Sequence, residues 1–324
     1  MKNIFLSIVV FSGFLFSQEV MPVEIPLNGE AAERSLEMSG LAWYGDYLIL
    51  MPQYVKKEAP GFYVLSKTKI QRWLNGNRSD SLTPEKIDLI QPQYDLMIPG
   101  YQGFEALTFS GKDVYLIIES KNNDTMRSFL IEGKMDLRRK KLTINSDAME
   151  EIPLPIQIEN MGIESILKFK YRLLTLYEVN GANVNPKPAG YFYNTGLKPK
   201  GEVSFPHLEY RLTDVTEVDG QGRFWAVNFF WPGERKRLKP AHDSVLDGTI
   251  KGETHSKFEH LERLVEYRLN ADEIVRTDSK PIQLVLNKIS RNWEGLVRLE
   301  NQGFLMIVDE HPRTILAFVP FPKN

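Results

Sequence analysis

The chain has 324 residues, enough for one large domain or two ordinary ones, and its 42% hydrophobic and 25% charged residues are a balance that can fill a core. A formal net charge of −2 argues against a general nucleic-acid binder. There is no Cys, so disulfides are excluded and stability has to come from packing and, by expectation, a bound metal.

Lys2 is followed by the apolar run IFLSIVVFSGFLF and then by Ser17 and Gln18. One basic residue, about a dozen apolar ones and a small residue before a polar one have the form of a secretory signal peptide, and the run is short for a membrane span. A buried N-terminal strand or helix is the alternative. The expectation is a signal peptide over 1–17, cleavage near Ser17, and a single mature domain over 18–324 that is secreted or periplasmic.

Next comes a short strand, PVEIPL (22–27). Five similar hairpins follow: SGLAWYGDYLILMPQ from Ser39, EALTFSGKDVYLIIES from Glu105, ESILKFKYRLLTLYE from Glu164, TDVTEVDGQGRFWAVNFF from Thr213 and EGLVRLENQGFLMIVDE from Glu294. Each starts on an oxygen-bearing residue, alternates polar and apolar, turns, and continues as a more apolar strand. A third strand recurs as FYVLSKTKI (62–70), SFLIEGKM (128–135), AGYFYNTGL (189–197), RLVEYRLNA (263–271) and RTILAFVPF (313–321). A fourth recurs as KIDLI (86–90), EIPLP (151–155), GEVSF (201–205) and PIQLV (281–285). The last repeat lacks a fourth strand, and PVEIPL is the piece that would complete it. Helix is expected to be nearly absent. These features predict an all-β, five-bladed β-propeller closed by the N-terminal strand. A six-bladed version would need a degenerate blade in the long interval from 213 to 294. A β-sandwich would not explain the repeated hairpins or the N-terminal partner strand.

In a propeller the innermost strand of each blade starts at the channel mouth, so Ser39, Glu105, Glu164, Thr213 and Glu294 should form a ring. Three converging glutamates repel, and are relieved either by protonation or by a cation among them. An all-oxygen ligand set favours Ca²⁺ over zinc or copper. Alternatively, the five side chains are pegs that pin each blade to its neighbour's backbone.

The order Ser, Glu, Glu, Thr, Glu at the blade starts resembles the soluble calcium-activated nucleotidases (apyrases). That resemblance implies a five-bladed propeller with an axial calcium held by Ser and Glu. Thr213 stands where that family has Ser, and the family's nucleotide-contacting stretches have no clear counterpart here. The hairpins GFEALTF and NWEGLVRL also resemble bacterial phytase-like esterase propellers. Both resemblances imply a calcium-dependent phosphohydrolase or phosphoesterase acting on an anionic small molecule. The other class of function is a non-catalytic propeller that binds a ligand or a protein above a structural ion.

Loops after the second strands should open on the same face as the ring. They carry Gln53, Glu119, Glu178, Asn228, Asp309, Glu310 and His311. Glu119, Glu178 and Asp309 are the candidates to orient an attacking water. In the longest loop, 231–260, Arg235, Lys236, Arg237 and Lys239 could reach over the channel to an anion; with His311, the three Arg and Lys at 235–237 are the candidate substrate contacts. The sequence has no G-x-S-x-G, H-E-x-x-H, P-loop or dinucleotide fingerprint.

Overall fold

The computed structural model describes residues 19–76, 78–309 and 311–322. The expected signal peptide, Gln18, and Glu310 lie outside the described residues. Among those described, the strands form successive antiparallel meanders with first strands Met38–Tyr44, Tyr101–Ser110, Ile163–Phe169, Leu208–Val215 and Trp293–Leu299. Each first strand packs against the next, and Trp293–Leu299 packs back on Met38–Tyr44, which closes a ring. The fold is a β-propeller.

The second strand of each meander is mostly apolar and buried along its middle because both of its faces are covered. In Tyr47–Pro52, Leu48 and Leu50 face the last meander, alongside Leu305 and Leu316, whereas Ile49 and Met51 face the second, alongside Phe104 and Leu116. The period of two therefore sends alternate residues of one strand into two different interfaces. Five hydrophobic clusters result, one between each pair of neighbouring meanders. At about 1.5–3 kcal/mol for each large apolar side chain buried, these interfaces are the main source of stability.

The last meander is completed by the N-terminal strand Val23–Ile25, which pairs antiparallel with Ile315–Pro320, as the sequence predicts. Three expectations are corrected. In the first repeat the third strand stops at Ser66, and Lys67–Asn75 is an α-helix. Ser66 Oγ accepts a hydrogen bond from the Lys69 amide at 3.2 Å, and Ile70, Trp73 and Leu74 form its buried face, a helical spacing that the strand pattern before it concealed. The second repeat's fourth strand is Lys141–Ile152, beginning ten residues before EIPLP, and it pairs in parallel with Glu85–Ile90, joining the first two meanders in one sheet. In the fourth repeat the outer strand is Ile274–Arg276, on the end of Leu261–Leu269, and Ile282–Gln283 is only a two-residue strand paired nearer that strand's start. The 231–260 loop contains short helical turns rather than a further meander. No helix among the described residues is long and apolar enough to cross a membrane.

Ile25 is fully buried between the first and last meanders. Ile25→Ala is expected to cost about 2–5 kcal/mol in urea-induced unfolding. A cost under about 0.5 kcal/mol would mean that the N-terminal strand does not close the ring.

Candidate functional site

Every first strand contains a register shift at its predicted ring position, and Tyr101–Ser110 has a second one at Gln102. The register skips Ser39, Glu105, Glu164 and Glu294 singly, and Thr213 together with Asp214. A bulge bends the strand and re-aims a side chain out of the sheet's alternation. The five residues, however, do different jobs. Ser39 Oγ donates to the Phe104 carbonyl (2.6 Å) and Thr213 Oγ1 donates to the Trp293 carbonyl (2.5 Å), so both hydroxyls pin the neighbouring first strand. Asp214 does the same by accepting from the Leu296 amide at 2.6 Å.

The three glutamates line a cavity of about 250 Å³ on the propeller axis, with Glu119, Asp309 and Arg211. Arg211 is the buried cation of this site. Its Nε contacts Glu178, its Nη2 lies 3.0 Å from Glu164 and 3.7 Å from Glu294, and its Nη1 lies 3.8 Å from Glu234 and donates to Asn292 at 3.2 Å. The guanidinium also lies over the Phe229 ring, 5.8 Å from the centroid.

One arginine cannot neutralise so many acids, and their proton affinities rise accordingly. Burial pushes Glu164 up to about 8 against the pull of Arg211. Burial also raises Glu178 against the same pull. Burial and the Glu119 charge raise Glu105, whose Oε1 accepts from Gln53 Nε2 at 2.8 Å. Burial and the Asp309 charge raise Glu294, which Asn292 Nδ2 contacts at 2.5 Å.

The sequence-nominated catalytic residues separate. Glu119 is buried, its Oε1 has no hydrogen-bond partner, and burial pushes it up to about 8. Gly162 makes room for it: a Cβ there would lie 2.0 Å from Glu119 Oε1. Asp309 is better solvated by protein. Burial raises it, but the His311 amide (2.8 Å) and Asn292 Nδ2 (2.9 Å) donate to it and pull the other way. Glu178 is fully buried against Arg211 and does not line the cavity.

Gln53 and His311 line the cavity, as expected of that face. Asn228 does not: it is buried, donates to the Glu209 and Arg211 carbonyls and accepts from Arg263. None of Arg235, Lys236 and Arg237 lines the cavity either. Arg235 lies over Phe230 and 3.7 Å from Glu259, Lys236 is exposed, and Arg237 donates to the Glu159 carbonyl. Sequence reasoning missed Arg211, Asn292, Tyr54, Asn160 and Trp231. Arg211 and Asn292 each stand two residues before a ring position, the spacing of one face of a strand, and that was the available signal.

The cation seen among the ring carboxylates is a side chain: Arg211 lies against Glu164 and Glu294, while the Ser39 and Thr213 hydroxyls donate to backbone carbonyls. Among the described residues no group of three or more His, Asp or Glu is arranged to hold a metal ion.

No protein-family model matches the sequence, and no curated protein does. Solved structures do match over almost the whole chain. One is described as a glycoside hydrolase of the GH130 family of mannoside phosphorylases that targets β-1,2-mannosidic linkages in Candida mannan (TM-score 0.52, 10% identity, 100% of this chain and 98% of that one). Others are the catalytic domain of a Coprinopsis cinerea GH62 α-L-arabinofuranosidase (TM-score 0.51, 9% identity, 94% and 97%) and a Bacteroides ovatus glycosyl hydrolase (TM-score 0.51, 8% identity, 97% and 95%). At these identities the likeness establishes the propeller fold. It also corrects the phosphoester expectation. The structures named above are glycoside hydrolases, not the nucleotidases or phytase-like esterases that the hairpins resemble, and Arg211 is held by its own carboxylates rather than free to clamp a phosphate.

A native Glu119 that holds its proton to about pH 8, where an unfolded one releases it near 4.5, binds more protons folded than unfolded across that window. Its effect on stability is therefore absent below about pH 4.5 and grows unfavourable as pH rises to 8, by at most about 1.4 kcal/mol per pH unit. Glu119→Gln should be more stable than the parent at pH 8 and nearly equal to it at pH 4.5 by denaturant unfolding; a constant difference would place Glu119 in a solvated setting. Arg211→Met should cost about 3–5 kcal/mol at pH 8, because it leaves buried carboxylates uncompensated, and less at pH 5 where they protonate.

Proposed function

We propose that the protein is a glycan-acting hydrolase whose reaction takes place in the axial cavity. What carries this reading is a pair of carboxyl groups in unlike surroundings at one cavity: Glu119, buried and without a partner on Oε1, and Asp309, held by two N–H donors. Glycoside cleavage needs one carboxyl that is protonated at working pH and a second that is ionised. In this reading Glu119 is the general acid that protonates the leaving oxygen. Asp309 is the carboxylate that activates water or stabilises the developing positive charge on the sugar. Asn292, bonded to both Asp309 and Glu294, is a positioning residue.

Three further observations support the reading. The cavity is lined by carboxyl groups around a single, fully engaged arginine, which suits a neutral polyhydroxyl ligand better than the anion expected from sequence. Trp231, half exposed, lies beside Phe229 and Arg211 and offers an apolar face to the C–H side of a sugar ring. The glycoside hydrolases matched above share the scaffold, which leaves chemistry to the site. A leader-like N-terminus suits an enzyme that meets its glycan outside the cytoplasm.

The test is hydrolysis by the mature chain of a panel of polysaccharides and aryl glycosides that includes β-1,2-mannan, arabinan and α-L-arabinofuranosides. At least one class should be cleaved. Glu119→Gln and Asp309→Asn should each lower kcat about 10²–10⁴-fold with the fold intact. Activity should fall above about pH 8 as Glu119 loses its proton, and this basic limb should disappear for substrates whose leaving group needs no protonation. Turnover unaffected by Glu119→Gln would refute the assignment.

A further inference from the structure

We infer that the site is a groove open on both sides of the acid pair, built to take an internal stretch of a glycan chain rather than its terminal sugar. This rests on the glycan reading above and adds the mode of attack.

The axial cavity, about 250 Å³, falls below the roughly 300–1,000 Å³ of sites that enclose a drug-sized ligand. It is not isolated. On one side it meets a second cavity of about 320 Å³ walled by Phe229, Trp231 and Ile289; Arg211, Asn292 and His311 line both. On the other it meets a third, of about 420 Å³, containing Tyr94 and Tyr101, whose rings stack at 6.1 Å; Tyr54 lines both. Carboxylates therefore occupy the middle of a continuous depression, and aromatic walls occupy both ends. An enzyme that trims chain ends needs one flank blocked, whereas among the described residues each flank of the axial cavity adjoins a further cavity with which it shares lining residues.

The two aromatic ends are built features. Trp231 is half exposed, yet its indole is seated on backbone: a Cβ at Gly233 would lie 2.3 Å from its ring atoms. At the opposite end Tyr54 is 39% exposed, on the residue next to Gln53, whose side chain binds Glu105 at the cavity floor. Sugar rings placed on these two side chains would lie on opposite sides of Glu119 and Asp309, so the bond between them is the one presented to the acid pair.

The experiment follows the time course of cleavage of the polysaccharide in the panel that the mature chain degrades, together with KM for oligosaccharides of increasing length. Viscosity should fall early, the first products should be oligosaccharides of mixed length, and KM should drop as chains grow past a disaccharide. Trp231→Ala and Tyr54→Ala should each raise KM for long chains about tenfold, a loss of the size expected for one aromatic contact, and should flatten the length dependence. Release of only mono- or disaccharides from the start, or sensitivity to just one of the two substitutions, would overturn the groove while leaving glycoside hydrolysis standing. If no member of the panel is cleaved, calorimetric binding of the same oligosaccharides separates the two ideas. Length-dependent binding that needs both Trp231 and Tyr54 keeps the groove and refutes the chemistry; no binding of any glycan refutes both.

Discussion

The centre of this molecule depends on one guanidinium in a well of carboxylates. Arg211 reaches acids from several meanders: Glu164 and Glu178 of the third, Glu294 of the fifth, and Glu234 in the loop of its own. Buried charge of one sign would otherwise force the ring apart or require most of these groups to be neutral. With Arg211 in place, some acids are paired and others keep their protons, so acids and carboxylates coexist within one small cavity. The arginine thus links the assembly of the ring to the chemistry at its axis.

The bulges are the second half of that arrangement. A regular strand would alternate its side chains between the two blade interfaces and send none along the axis. An extra residue at the ring position of each first strand frees a side chain from that alternation. Small or hydroxyl-bearing residues at these points join neighbouring strands, and glutamates face the cavity. The same local device therefore produces both the fastening of the ring and the lining of the site.

Much of the fold was legible in the chain, since its signals are local. The apolar second strands, the turns between them and the spare strand at 22–27 all follow from periodicity and from the unpartnered last repeat. Where reading failed, a local pattern was ambiguous. KTKIQRWLN continues an apolar strand and turns helical only because Ile70, Trp73 and Leu74 find a common surface. The second repeat's outer strand runs through the polar stretch Lys141–Ile152, which carries little hydrophobic signal because much of it faces solvent.

The site was legible only in part. The sequence by itself nominated five ring positions, because each begins a recurring hairpin, and three of them, Glu105, Glu164 and Glu294, line one cavity with Glu119 and Asp309. It could not determine what those residues meet. A ring of Ser, Glu, Glu, Thr and Glu does not show that Thr213 bonds to a carbonyl 80 residues away, or that Arg211 lies among the carboxylates. Nor could it show that Trp231 and Tyr54, far apart in the chain, flank one cavity. Periodicity records which way a side chain leaves its own strand, whereas charge compensation and ligand shape depend on groups that only the closed ring brings together.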